Sequence, residues 1–280
     1  MNFGGNEVVY TYDESEIVIV PVPYDETSTW MKGADKGPEA ILEASVNLEF
    51  YDIETNYEAH THGIHTFHPV NEKSTPEAMV DAVATTCGSL YAASKFPVVI
   101  GGNHSVSIGA IRAAVDHFSD VTILQIDAHA DLRQEYEGTP FNHACVMARA
   151  RDIAPIVQVG IRSMSADELP YAKRDRMFCA HELHVDKELY SKALSLLTKN
   201  VYITIDLDGF DPGIMPSTGT PEPGGPPYRE ILNFLHDVIR ERNVIGFDIV
   251  ELCPSKSNKA PDFLAARLLY QLLSYKFSGR

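Results

Sequence analysis

Positive charge is scarce in this chain. It has 23 Lys and Arg against 39 Asp and Glu, a formal net charge of −16. No basic stripe offers the phosphate contacts that nucleic acid requires, so nucleic acid is excluded as a partner. Cys87, Cys145, Cys179 and Cys253 form no C-x-x-C pair, which argues against a disulfide framework or a thiolate zinc site. They read as small buried hydrophobes in a reducing compartment. No apolar run approaches the ~20 residues needed to span a bilayer, and residues 1–12 lack the basic and apolar regions of a secretory signal. The expectation is a cytoplasmic protein with no membrane partner. Internal repeats, low-complexity tracts and linkers are also missing, so residues 1–280 read as one domain. The acidic balance serves solubility first, and its field would also concentrate a cationic small molecule.

What is present is a regular alternation of elements. Glu16–Val22, Pro97–Ile100, Val121–Ile126, Ile156–Val159, Met177–Cys179, Val201–Ile205 and Val244–Val250 read as strands. Gly37–Leu48, Pro76–Ser94, Ser105–Phe118, Phe141–Arg151, Ala166–Lys173, Asp186–Thr198, Tyr228–Arg240 and Pro261–Tyr275 read as helices. Continuous β-branched strands alternating with helices predict an α/β fold, a mainly parallel sheet covered on both faces. The Pro/Gly-rich stretch 211–227 reads as a long ordered loop within that fold.

Three short runs just past strands carry the chemistry. His104 lies in Gly-Gly-Asn-His-Ser, Asp127, His129 and Asp131 in Asp-Ala-His-Ala-Asp, and Asp206 and Asp208 in Asp-Leu-Asp. Carboxyl ends of parallel strands are where ligands collect, which brings these distant runs to one edge. In an extended segment, residues 127, 129 and 131 face one side and the alanines the other. Two imidazoles and four carboxylates are too much negative charge for one divalent ion and suit a pair. Hard oxygen donors with imidazole favour Mn²⁺ or a similar first-row ion. Four histidines, His60, His62, His65 and His68, crowd 59–69 without an accompanying carboxylate or cysteine pattern, and that segment reads as an extended surface connection.

Over nearly its whole length the chain resembles the ureohydrolases, the arginase/agmatinase family. The resemblance rests on Gly33-Ala-Asp-Lys-Gly-Pro-Glu-Ala-Ile41, Gly-Gly-Asn-His104-Ser, Asp127-Ala-His-Ala-Asp131, Asp206-Leu-Asp208-Gly-Phe-Asp-Pro, Thr218-Gly-Thr-Pro-Glu-Pro-Gly-Gly225 and Phe247-Asp-Ile-Val-Glu251. It implies a three-layer α/β/α arginase-like fold, two Mn²⁺ per subunit, and a homotrimer or homohexamer. It further implies that His104, Asp127, Asp131, Asp206 and Asp208 divide between the ions, Asp127 and Asp206 bridging, with His129 completing the second. Glu251 matches the acid that pairs with a guanidinium, and His143 matches a proton-shuttling histidine, with Asp131 a second candidate proton carrier. Asn103 departs from the family's Gly-Gly-Asp-His-Ser, at a position behind the ligands rather than among them. The implied reaction splits a small cationic guanidino substrate into urea and an amine. Thr220-Pro-Glu-Pro-Gly-Gly is most like agmatinases, pointing to agmatine and putrescine, with Glu222 as an attractor for the distal ammonium. Aminopropylagmatine, guanidinobutyrate, arginine and formiminoglutamate stay open as substrates, as does a non-catalytic metal-binding scaffold.

Overall fold

The computed structural model describes residues 1–279. Eight strands, β1 (Ile17–Val22), β2 (Ile64–Thr66), β3 (Phe96–Gly101), β4 (Val121–Ile126), β5 (Ile156–Ile161), β6 (Met177–Cys179), β7 (Asn200–Asp206) and β8 (Asn243–Val250), build one sheet. Their spatial order is β2-β1-β3-β8-β7-β4-β5-β6, and every pairing is parallel. Parallel neighbours need crossover connections, and α1 (Gly37–Ser45), α2 (Pro76–Ala92), α3 (Ser107–His117), α4 (Val146–Ile153), α5 (Ala180–Val185), α6 (Glu188–Ser195) and α7 (Tyr228–Glu241) lie in them, while α8 (Ala260–Phe277) follows the last strand.

The helices fall on two faces because strand side chains alternate. Ile17 and Ile19 join a core with α1, α6, α7 and α8. Val18 and Val20 join a second core with α2, α3 and α4. The result is the three-layer α/β/α arrangement expected from the sequence. Local signals hold as well. Thr75 Oγ1 accepts the Ala78 N–H at 3.0 Å, capping α2 with Pro76 in its first turn.

Some expectations fail for identifiable reasons. The helix expected over 166–173 is only a 3-10 turn, Ala166–Glu168. Pro170 lacks the N–H a continuing helix would need and disfavours helical geometry at Leu169. The helix expected over 186–198 is confined to α6, and α5 forms immediately before it. The segment read as a surface connection contains β2, which pairs with β1 through Ile17–Ile64 and its neighbours.

For the site the decisive feature is adjacency. The carboxyl ends of β3, β8, β7 and β4 lie side by side at the centre of the sheet, and each is followed at once by one of the motif runs.

Candidate active site

The turn after β3 is shaped by close backbone contact. Gly102 N donates to Val22 O and Asn103 N to Tyr24 O, both at 2.8 Å. A Cβ at Gly102 would lie 2.0 Å from the Tyr24 carbonyl oxygen, so only glycine fits there. His104 follows, buried, with its N–H donating to Glu251 Oε1 at 2.7 Å. Glu251 N in turn donates to Gly102 O at 2.8 Å, tying the ends of β3 and β8 together. Glu251 and Asp131 both hold left-handed backbone, at φ 66° and 52°, a conformation that costs a non-glycine residue about 1–3 kcal/mol and clusters at functional sites. The Asp131 carbonyl accepts from Met147 N and Ala148 N, which anchors this bend to the start of α4.

The six residues singled out as ligands converge. His104 Nδ1 lies 3.2 Å from Asp127 Oδ2, 3.1 Å from Asp131 Oδ2 and 3.3 Å from Asp206 Oδ2. His129 Nδ1 lies 3.0 Å from Asp208 Oδ2 and 3.7 Å from Asp127 Oδ1. Two donor groups of metal-binding dimensions result, His104–Asp127–Asp206 and Asp127–His129–Asp208. Asp127 belongs to both, one carboxylate oxygen facing each. The sharing that the resemblance implies for Asp127 therefore has a geometric counterpart. Asp206 belongs to the first group, and its Oδ1 accepts the Asp208 N–H at 2.8 Å.

The donor set fits a pair of cations. Burial, reinforced by Asp127, pushes the Asp131 carboxyl up, and burial with Asp208 and Asp127 pushes Asp206 well up. Burial alone would lower both imidazoles, yet the carboxylates outweigh it and lift His104 and His129. The cluster thus demands positive charge at its centre. His104 Nδ1 is buried, has no hydrogen-bond partner among the described residues, and faces three carboxylates. Such an orphaned lone pair is what an ion would take up.

His143 and Glu251 join five of the ligand residues, His104, His129, Asp131, Asp206 and Asp208, in lining a cavity of about 290 Å³, together with Thr29, Arg133, Tyr136, Glu168 and Thr220; Asp127 lies buried behind it. Burial lowers the His143 imidazole to about 4, against the opposing effect of the Thr27 backbone. Burial raises Glu251 to about 8. Glu222 is not part of this wall. Its carbonyl accepts from Arg162 Nη2 at 2.8 Å. The four crowded histidines lie along the β2 edge, where His62 bonds Tyr57 and Glu16.

Sequence reasoning missed several supporting residues. Arg162 donates to the carbonyls of Gly160, Asp208, Gly209, Phe210 and Glu222 at 2.6–3.2 Å. It thereby pins the loop that follows Asp208. Asp211 helps by accepting from the N–H groups of Gly213, Gly224 and Gly225. Glu168, buried, accepts from Leu132 N and Ser165 N, each at 2.7 Å. Thr204 and Asp248 form a buried polar pair at 2.7 Å between β7 and β8. A polar residue inside an otherwise apolar strand run was the available signal for that pair.

A family model described as "Arginase family" matches residues 15–274. The chain belongs to the arginase family. Among its relatives, an N(1)-aminopropylagmatine ureohydrolase of Synechocystis sp. is 38% identical, covering 96% of this chain and 92% of that protein. The protein of the same name from Thermus thermophilus is also 38% identical, covering 95% and 92%. The crystal structure of agmatine ureohydrolase of Thermoplasma volcanium superposes with a TM-score of 0.89 at 29% identity, covering 99% of this chain and 94% of that one. The fold of this arginase-family ureohydrolase is the arginase-like one. Among its described residues no helix is long and apolar enough to cross a membrane.

Proposed function

We propose that this ureohydrolase splits the guanidinium group of a linear guanidine with a cationic tail into urea and an amine, using two Mn²⁺. N(1)-Aminopropylagmatine is the first substrate and agmatine the second. The observation that carries this reading is Asp127, buried behind the cavity, whose two oxygens face separate histidine–carboxylate groups; the histidines of both groups line the cavity that Glu251 also lines. His104, Asp127, Asp131 and Asp206 would hold one ion, and Asp127, His129 and Asp208 the other. Oxygen and imidazole donors without thiolate favour Mn²⁺ among first-row ions. Such a pair supplies Lewis acidity and a water acidified toward neutral pH.

The chain's own residues do the rest. Glu251 uses Oε1 for the His104 N–H and keeps Oε2 for the guanidinium, whose positive charge opposes the effect of burial and favours the ionised carboxylate. Gly219 leaves room there, since a Cβ would stand 3.5 Å from Oε2. His143 lines the same cavity, and its imidazole is the group we assign to relay a proton to the departing amine. Glu168, the wall acid assigned neither to an ion nor to the guanidinium, favours a cationic tail. The one wall cation, Arg133, is paired with Asp167 at 3.2 Å and lies over the Tyr136 ring at 4.8 Å. That pairing competes with any substrate carboxylate, which disfavours guanidinobutyrate, arginine and formiminoglutamate. The names of the 38%-identical relatives support putting the aminopropyl compound ahead of agmatine.

Urea release from a panel of guanidines by Mn²⁺-loaded enzyme tests this. Aminopropylagmatine is expected to exceed agmatine in kcat/KM by ~10-fold, the discrimination one extra well-placed contact provides, with the carboxylate-tailed compounds at background. No urea from any member would overturn the proposal and favour a non-catalytic scaffold.

A further inference from the structure

Asn103 stands where the resemblance leads one to expect an aspartate, and its surroundings call for an amide. The Ser105 N–H donates to Asn103 Oδ1 at 3.2 Å and the Ser105 hydroxyl at 2.6 Å, which fixes the amide oxygen on that side. The NH₂ group then points the other way, donating to Thr27 Oγ1 at 2.8 Å and Ser28 Oγ at 3.2 Å. Ser28 has one hydroxyl proton, and it goes to Asp25 Oδ1. The chain of donors therefore runs one way, from Asn103 through Ser28 to Asp25. An aspartate at 103 could take the Thr27 hydroxyl proton, but it would leave the Ser28 hydroxyl between two carboxylates with a single proton for both.

Asp25 closes the loop that these contacts hold. Its Oδ2 accepts the Gly33 N–H at 2.7 Å, and its carbonyl accepts from Lys32 Nζ at 2.9 Å. Asp25 and Thr27 are buried. Residues 25–33 are thus cinched into a ring whose one side rests on Asn103, the neighbour of His104. From that ring Thr29 enters the cavity wall, and the Thr27 backbone acts on the His143 imidazole.

We propose that Asn103 is a positioning residue. Its neutral amide locks loop 25–33 onto the turn that carries His104, and so sets the substrate-side wall of the cavity. The direction of the hydrogen-bond chain, and not only its presence, is what matters. Exchanging the two ends, Asn103→Asp with Asp25→Asn, would reverse the donors that pass through Ser28: the amide at 25 gives to Ser28, and Ser28 gives to the carboxylate at 103, while the Ser105 and Gly33 donors stay as they are.

Trp30 is the protein's one tryptophan and sits in this loop, 70% exposed. Its fluorescence anisotropy reads loop mobility in the full-length, ion-free chain without any substrate. Asn103→Asp is expected to lower that anisotropy and to raise KM for a hydrolysed guanidine by ~10-fold while kcat stays within about twofold, as a buried acceptor left without its donor would dictate. Ser28→Ala, which cuts the chain without adding charge, shifts both readouts the same way by less and covers the case in which Asn103→Asp does not fold. The double exchange restores anisotropy and returns KM to within about threefold of the parent. Unchanged Trp30 anisotropy in both Asn103→Asp and Ser28→Ala, or a double exchange worse than either single, would overturn the proposal. The KM readout rests on guanidine hydrolysis and the anisotropy does not, so an enzyme inert toward every guanidine would still leave the loop inference tested.

Discussion

The Nε2 of His104 meets the Thr204 hydroxyl at 2.8 Å, and that hydroxyl is bonded to Asp248 Oδ1 at 2.7 Å. Thr204 has one proton, which the carboxylate takes, so Nε2 of His104 must be the protonated nitrogen. In the neutral ring that an ion would require, Nδ1 is then the lone pair turned toward Asp127, Asp131 and Asp206. A buried relay on β7 and β8 thereby selects the imidazole tautomer that can bind a cation.

Thr204→Val keeps the side-chain shape and removes the acceptor. Ion affinity at the His104 group is expected to fall by ~10–100-fold, the usual consequence of losing a residue that orients a ligand. Titration calorimetry on ion-free protein measures it. An unchanged dissociation constant would mean that the ring needs no such orientation.

Asp127 and Asp131 separate shared from unshared ligation. Asp127→Ala should leave neither ion bound after dialysis, and Asp131→Ala should retain one, because Asp131 approaches only His104. Elemental analysis gives the stoichiometry directly. Turnover in Asp127→Ala should drop by ~10³-fold or more, several kcal/mol of lost charge stabilisation. Two ions per chain in Asp127→Ala would refute the sharing.

Arg162→Lys preserves charge and loses the planar fork that reaches several carbonyls at once. The fold is expected to survive with about 2 kcal/mol less stability, while amides in 209–225 exchange with solvent faster. Hydrogen exchange followed by mass spectrometry resolves the two effects. If only global stability changes, Arg162 does not specifically hold the loop.

Stability should also depend on pH through His143. Its imidazole sits at about 4 in the folded chain, against 6.5 ordinarily. Between those values the unfolded chain binds a proton that the folded chain refuses, so stability rises with pH through the window and is lost as pH falls from 6.5 toward 4. His143→Asn should flatten that dependence by up to about 1.4 kcal/mol per pH unit. Urea titrations of ion-free protein at pH 4.5, 5.5 and 6.5 provide the slopes, and parallel slopes would place a charged His143 in the native state.

Ser94 follows α2 in the left-handed region, at φ 57°, with Ser94 N on Tyr91 O and Lys95 N on Leu90 O, both at 2.9 Å. This paired closure favours glycine. Ser94→Gly should stabilise the chain by about 1 kcal/mol, raising Tm by ~2 °C. A lower Tm by scanning calorimetry would show that the serine side chain contributes something the backbone argument omits.

How far the sequence alone reaches depends on which atoms act. Asp127, His129 and Asp131 are readable because alternation puts them on one side of an extended run. Parallel topology then carries that run to the same edge as His104 and Asp206. Arg162 is unreadable for the opposite reason. Its partners are main-chain carbonyls, most of them 46–60 residues away, and a carbonyl leaves no trace in residue identity. β2 is three residues long and contains His65 within Ile64–Thr66, too short and too polar to announce a strand. Asn103 is visible as a departure, while its meaning depends on Ser28 and Asp25 lying across the turn.

The order of the sheet also governs when binding competence can arise during synthesis. β1 to β6 are made first, yet β3 and β4 are not neighbours; β8 and β7 lie between them. A nascent chain emerging in that order holds two half-sheets, β2-β1-β3 and β4-β5-β6, with an open slot whose apolar flanks are unpaired and aggregation-prone. Asp206 and Glu251 arrive only with the strands that fill it. Ion capture therefore follows closure of the slot, and a chain ending before residue 243 would have all six ligands in hand but no β8 to bring His104, after β3, against those that follow β7 and β4.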